Sequence, residues 1–253
     1  MDTGPRTPLI QARGLKRYYR RGSETVKALD GVDLDIYPGE MVSVLGPSGS
    51  GKTTLINLLS CLDVPTEGTM TLAGKPVSGL SEDRLAEIRR GVLGFVFQKF
   101  HLIPTLTVSE NVELPLMFLR RPVDPAATLE MLRQVGLESR AKHLPKELSG
   151  GEMQRVAVAR ALIVGSKILI ADEPTGNLDR ANGDAIFHLF RHLSQARGLS
   201  VIITTHNLAL GYEADRVVTL EDGRILREEA GRAKTAGAPV PEERGRLSGK
   251  TLP

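Results

Sequence analysis

Gly46-Pro47-Ser48-Gly49-Ser50-Gly51-Lys52-Thr53 follows an apolar run at 41–45 and opens an apolar helical pattern at 54–62. Strand, glycine-rich loop and helix in that order is the setting of a phosphate-binding P-loop. The glycines let the backbone curl tightly with its N–H groups pointing inward. The helix start adds partial positive charge, worth about 0.3–1 kcal/mol for a nearby anion. In such a loop Lys52 reaches the β- and γ-phosphates, and the Thr53 hydroxyl binds Mg²⁺. The stretch predicts a nucleoside triphosphate site.

The chain has 253 residues, long enough for one sizeable α/β domain with a subdomain. Its 33 basic and 30 acidic residues leave a net charge of only +3, which gives no argument for nucleic acid. A single cysteine, Cys61, excludes an intrachain disulfide and reads as a packed thiol. No cysteine–histidine cluster suggests a structural metal. The first residues, MDTGPRTP, lack the apolar core of a signal peptide. No run of about 18 apolar residues predicts a membrane span. These features predict a cytoplasmic chain.

Short β runs are expected at 9–12, 27–29, 32–36, 41–45 and 69–72, then a helix at 81–90 and a buried strand at 93–98. Prolines recur from 99 to 150, with helical spacing at 108–119 and 126–135. This reads as a helical insertion. Helix 151–164, strand 167–172, helix 182–197 and strand 200–205 then alternate, which implies parallel strands joined by crossover helices. A hairpin at 216–226 turns at Asp222-Gly223. The expected organisation is a flexible 1–8, one domain at 9–228 whose core is 9–98 and 151–228, and a mobile tail at 229–253.

Lys167-Ile168-Leu169-Ile170-Ala171-Asp172-Glu173 is an apolar strand ending in two carboxylates. Ligands of a parallel sheet bind at the carboxyl ends of its strands. Asp172 is therefore expected near the Mg²⁺ held by Thr53, and Glu173 is the natural base for a water attacking the γ-phosphate. Leu148-Ser149-Gly150-Gly151-Glu152 precedes a helix. Ser149-x-x-Glu152 reads as a capping box. Two glycines in a first turn cost roughly 1 kcal/mol each against alanine, and a cap does not need them. Bare N–H groups beside a serine hydroxyl also read as a second anion site.

The order GPSGSGKT, Gln98, LSGGE, ILIADE, Gly176-Asn177-Leu178-Asp179, His206 closely resembles the nucleotide-binding domain of ABC ATPases, over roughly 9–228. The resemblance implies a P-loop NTPase: a RecA-like parallel-sheet core, an N-terminal antiparallel β subdomain and an inserted α-helical subdomain. It implies ATP and Mg²⁺ as cofactors, with Gly46 through Thr54 and Tyr19 on the nucleotide. Tyr19 matches the aromatic that stacks on adenine, with Tyr18 as its neighbour; such stacking is worth about 1–3 kcal/mol. Gln98 resembles the glutamine that joins the Mg²⁺ and water network. Asp179 ends a loop that crosses a dimer interface, and His206 resembles the histidine on the γ-phosphate. Glu152 stands where many members have Gln and is not expected to be a ligand.

In the family, two copies associate head to tail, so Ser149, Gly150 and Gly151 of one close over ATP held by Lys52 of the other. The resemblance also implies an integral membrane permease, with residues Lys99 to Val112 as its docking stretch and Phe100, Leu102 and Ile103 as apolar contacts. The chain is thus expected peripherally on the cytoplasmic face of the inner membrane. The strings Cys61-Leu62-Asp63-x-Pro65-Thr66-x-Gly68, Ile88-Arg89-Arg90, Phe95-Val96-Phe97-Gln98 and Glu113-Leu114-Pro115-Leu116 resemble the lipoprotein-releasing, macrolide-exporter and cell-division branch. Export or lipoprotein release is the expected role. The alternatives are an ATP-gated regulator of an envelope enzyme and a soluble ATPase acting on nucleic acid.

Overall fold

Five-residue runs such as MVSVL and SVIIT, apolar on both faces but for a serine or threonine, are buried throughout and pair inside a parallel sheet covered by helices. The computed structural model, which describes residues 7–232, builds such a sheet. The chain begins with β1 (Ile10–Arg21), β2 (Glu24–Ile36) and β3 (Met41–Leu45), followed by α1 (Lys52–Leu59). Next come β4 (Glu67–Leu72), β5 (Lys75–Pro76), α2 (Glu82–Arg89), β6 (Leu93–Val96), α3 (Val108–Phe118) and α4 (Pro125–Gln134). After α5 (Gly150–Leu162) the order is β7 (Ile168–Asp172), α6 (Arg180–Arg197), β8 (Ser200–Thr204), α7 (Leu208–Gly211), β9 (Arg216–Glu221) and β10 (Arg224–Ala230).

The larger sheet runs β10-β9-β3-β8-β7-β6. Every neighbouring pair from β9 to β6 is parallel, and β10 closes the edge as an antiparallel hairpin on β9. In this order β3, β8 and β7 lie side by side. Their carboxyl ends carry the P-loop, His206 and Glu173, so sheet order alone gathers three motifs far apart in sequence. The smaller sheet, β2-β1-β4-β5, is antiparallel. Its inward residues, among them Ile10, Leu15, Leu34 and Ile36, share one apolar cluster with Val42, Val44, Leu55 and Leu59. The opposite face of the larger sheet is covered by α5 and α6, against which α3 and α4 set Val112, Met131 and Leu132.

β1 continues nine residues past the expected 9–12. Charge hides the strand: Arg13 pairs with Asp35, Lys16 with Glu67 and Arg17 with Asp63 across its neighbours. Bulges between Ala12 and Tyr18 also break the two-residue alternation by which a strand is read. β5 and the four-residue α7 were not expected either; α7 starts where the Asn207 side chain caps Leu210 N–H at 3.3 Å. The hairpin turns at Asp222-Gly223, both with positive φ. β10 pairs as far as Ala230, so the chain is still in the sheet at the expected start of the tail. The remainder of that tail from 233, and residues 1–6, lie outside the described residues. Cys61 is buried, and burial pushes its thiol up to about 11. Among the described residues no helix is long and apolar enough to cross a membrane.

Candidate nucleotide site

Lys52 is 7% exposed and folds back into its own loop, donating from Nζ to the carbonyls of Gly46 at 2.8 Å and Pro47 at 2.9 Å. The loop tolerates no larger residue at two points. A Cβ on Gly46 would lie 2.2 Å from the Leu220 carbonyl, and one on Gly51, at φ 103°, would lie 2.4 Å from the Ala28 carbonyl. Ser50 Oγ is buried without a hydrogen-bond partner among the described residues. Gly51 gives α1 no side-chain cap, and its first turn holds no acidic residue. Uncapped N–H groups, an orphaned hydroxyl and an ammonium resting on carbonyls together suit a polyphosphate. Thr53 is exposed beside them.

One threonine sets the carboxylates opposite. Thr204 Oγ1 at the end of β8 donates to Asp172 Oδ1 at 2.6 Å and accepts from Glu173 N–H at 2.9 Å. Asp172 Oδ2 has no hydrogen bond among the described residues and stays available to a cation. Glu173 has φ 45°, in the left-handed region that costs a residue with a Cβ about 1–3 kcal/mol. That turn brings its Oε2 to 3.5 Å from His206 Nδ1. Glu173 is largely sheltered, while the His206 side chain is 69% exposed. Thr204 was not anticipated; the available signal was a hydroxyl pair, Thr204-Thr205, ending an apolar strand.

Gln98 meets the loop after Glu173. Its carbonyl accepts from Asn177 Nδ2 at 3.1 Å, and its Nε2 lies 3.4 Å from Asn177 Oδ1. A Cβ on Gly176 would come 2.7 Å from Gln98 Nε2. Tyr19 donates to Asp63 Oδ2 at 2.9 Å, and the Arg17 guanidinium lies 4.8 Å from its ring centre. It pairs with Val26, two residues before the Ala28 carbonyl that lies against Gly51. Tyr18 instead donates to Asp30, and with Arg224 it holds that carboxyl at about 2.

Ser149 caps α5 in a full capping box: its N–H donates to Glu152 Oε2 at 2.8 Å, and its Oγ accepts from Glu152 N–H at 3.3 Å. These bonds hold Glu152 below the usual carboxylate range, and Arg140 pairs with it at 3.3 Å. The glycines of this first turn also have a packing reason inside the chain. A Cβ on Gly151 would lie 2.3 Å from Asn182 Oδ1, and one on Gly150 3.2 Å from Leu178 Cδ2. Asn182 is itself fixed by Asp179, which caps α6 through Oδ1 at 2.9 Å and takes Asn182 Nδ2 at 2.7 Å on Oδ2. The start of α5 thus lies against Leu178 and Asn182, while the side chain of Ser149 is bonded to Glu152. No hydrogen bond or ion pair among the described residues joins it to the P-loop.

A phosphate cradle at one strand end, with carboxylates and a histidine on the next two, defines a P-loop nucleotide hydrolase. The family model for the ABC transporter matches residues 29–176. Macrolide export ATP-binding/permease proteins MacB of Shigella flexneri and Escherichia coli are each 45% identical over 223 residues, 87% of this chain and 34% of theirs. The chain therefore spans about a third of the length of these curated relatives. The dimeric post-hydrolysis state of the ATP-binding cassette MJ0796 bound to ADP and Pi superposes with a TM-score of 0.79 at 42% identity, covering 87% of this chain and 98% of that one. cbiO1 from Clostridium perfringens, part of the ABC transporter complex cbiONQ, gives the same TM-score at 25% identity, covering 91% of each chain. The chain belongs to the ABC transporter family, and it is an ATP-hydrolysing cassette of that family.

Proposed function

We propose that the chain works as a head-to-tail dimer that closes on ATP and drives a membrane permease of the export or lipoprotein-release type from the cytoplasmic face. One observation carries the dimer: Lys52, Glu173 and His206 share one end of the sheet, while Ser149 is exposed to solvent at the start of α5. A second copy brings Ser149, Gly150 and Gly151 to the exposed side of the P-loop.

The loop N–H groups and Lys52 bind the phosphates, and Lys52 exchanges its loop carbonyls for them. Tyr19 stacks on the base. Thr53, Asp172 and Gln98 would hold Mg²⁺, which when bound offsets the charge on the β- and γ-phosphates. Glu173 Oε2 takes the proton of the attacking water, and His206 orients that carboxylate and meets the γ-phosphate. Hydrolysis removes the anion that holds Ser149 and His206 in place, and the halves part.

The docking surface proposed for the permease extends from residues 99–112 onto a neighbouring cleft of about 600 Å³. It is lined by Arg89, Arg90, Leu114, Pro115, Phe118 and Arg160. Leu102 packs inward on the core, whereas Phe118 is 83% exposed on the rim. The test is a gentle-detergent pull-down of Glu173→Gln protein from native membranes with ATP and Mg²⁺. A co-purifying multi-spanning protein with a large extracytoplasmic domain supports the reading. Recovery of soluble dimer alone, or of dimer with nucleic acid, refutes the transporter role and leaves the ATPase standing.

A further inference from the structure

From Phe97 to Thr107 the chain has no regular secondary structure, so its main-chain groups need side-chain partners. Two residues of α5 supply them on either side of Gln98. Gln154, fully buried, donates from Nε2 to the Phe97 carbonyl at 3.3 Å. Arg160 donates from Nη1 to the His101 carbonyl at 2.6 Å and from Nη2 to the Phe100 carbonyl at 2.8 Å. His101 has φ 47°, a left-handed conformation that a residue with a Cβ keeps only when its surroundings hold it. Arg160 pairs with no carboxylate among the described residues, and burial lowers its pKa. Its planar fork is directed wholly at this turn, a geometry that a lysine ammonium cannot copy.

We propose that Arg160 is a positioning residue for ATP hydrolysis: its fork fixes the Phe100–His101 turn and, through it, the place of the Gln98 amide. The proposal rests on the Mg²⁺ role given to Gln98 above. α5 also begins at Ser149, so the Ser149 cradle and the grip on Gln98 ride on one helix.

The test uses the full chain in a double-mutant cycle of Arg160→Ala with Gln98→Ala. In nucleotide-free protein, Arg160→Ala is expected to speed amide exchange at 99–103 about tenfold while the core of α5 stays protected. It is expected to raise the Mg²⁺ concentration for half-maximal hydrolysis by roughly tenfold, the scale of lost outer-sphere support. In the Gln98→Ala background the same change should add less than about twofold, because the residue it positions is gone. Unchanged exchange at 99–103, or effects that multiply in the double variant, overturns the proposal. If Gln98→Ala alone leaves the Mg²⁺ dependence unaltered, the reading of Gln98 fails and this proposal falls with it. If Gln98→Ala shifts it and Arg160→Ala does not, only the Arg160 role fails. Arg160→Lys keeps the charge without the fork and is expected to lie between; it carries the same cycle if the alanine variant does not fold.

Discussion

Gly151→Ala separates packing from function at the start of α5. At an open helix position alanine would gain up to about 1 kcal/mol over glycine. Here its Cβ would sit 2.3 Å from Asn182 Oδ1 and 2.9 Å from Asn182 Cγ. Asn182 cannot swing aside freely, because its Nδ2 is bonded to Asp179 Oδ2 at 2.7 Å. Moving it breaks a hydrogen bond to a carboxylate, worth about 1.5–3 kcal/mol. Set against the helix gain, the net loss is about 0.5–2 kcal/mol, or roughly 1–8 °C in melting temperature for a chain of this size. Thermal unfolding of Gly151→Ala, Asn182→Ala and the double variant measures it. The double variant should recover much of the lost stability, since the obstructing side chain is gone. A Gly151→Ala protein as stable as the parent, or more so, would refute the steric reasoning. ATPase activity of the rescued double variant then separates the roles. Restored turnover leaves Gly151 with packing alone, and turnover still lost assigns it to the second phosphate cradle.

Glu173→Gln should retain ATP binding and lose about 10²–10⁴-fold in hydrolysis, accumulating as an ATP-bound dimer; single-turnover hydrolysis with size-exclusion chromatography checks both. Thr204→Val removes the hydroxyl that holds Asp172 and leaves the Glu173 amide unpaired. Hydrolysis should fall about 10–100-fold with nucleotide affinity little changed, measured by kcat against nucleotide binding. Asp30 is held at about 2, first by the Tyr18 hydroxyl and then by Arg224, so its contribution to stability is complete above the unfolded value near 3.8 and is lost as pH falls to 2. Unfolding curves of Asp30→Asn should therefore lose part of the acid-limb slope between pH 4 and 2. Cys61, buried and with its thiol raised to about 11, should resist a thiol reagent in the native protein and react at once on unfolding.

Features whose chemistry lies within a few consecutive residues were legible in the sequence. The P-loop is such a case: strand, glycines, lysine and hydroxyl are contiguous, and local backbone geometry determines what they do. The strand ending in Asp172 and Glu173, the capping box at Ser149 and the turn at Asp222-Gly223 are likewise written in adjacent residues. Sheet order decided the rest. Thr204 meets Asp172 only because β8 lies beside β7, and no spacing along the chain encodes that neighbour. The charged half of β1 is a strand because Asp35, Asp63 and Glu67 arrive from other elements to neutralise it. Gly151 is tight because the first turn of α6 lies against it, and Arg160 has its role because Phe100 and His101 turn their carbonyls toward α5. Short-range geometry follows from backbone sterics and the identity of neighbouring residues. Long-range contacts follow from which apolar faces bury one another, and that is settled when the whole chain packs.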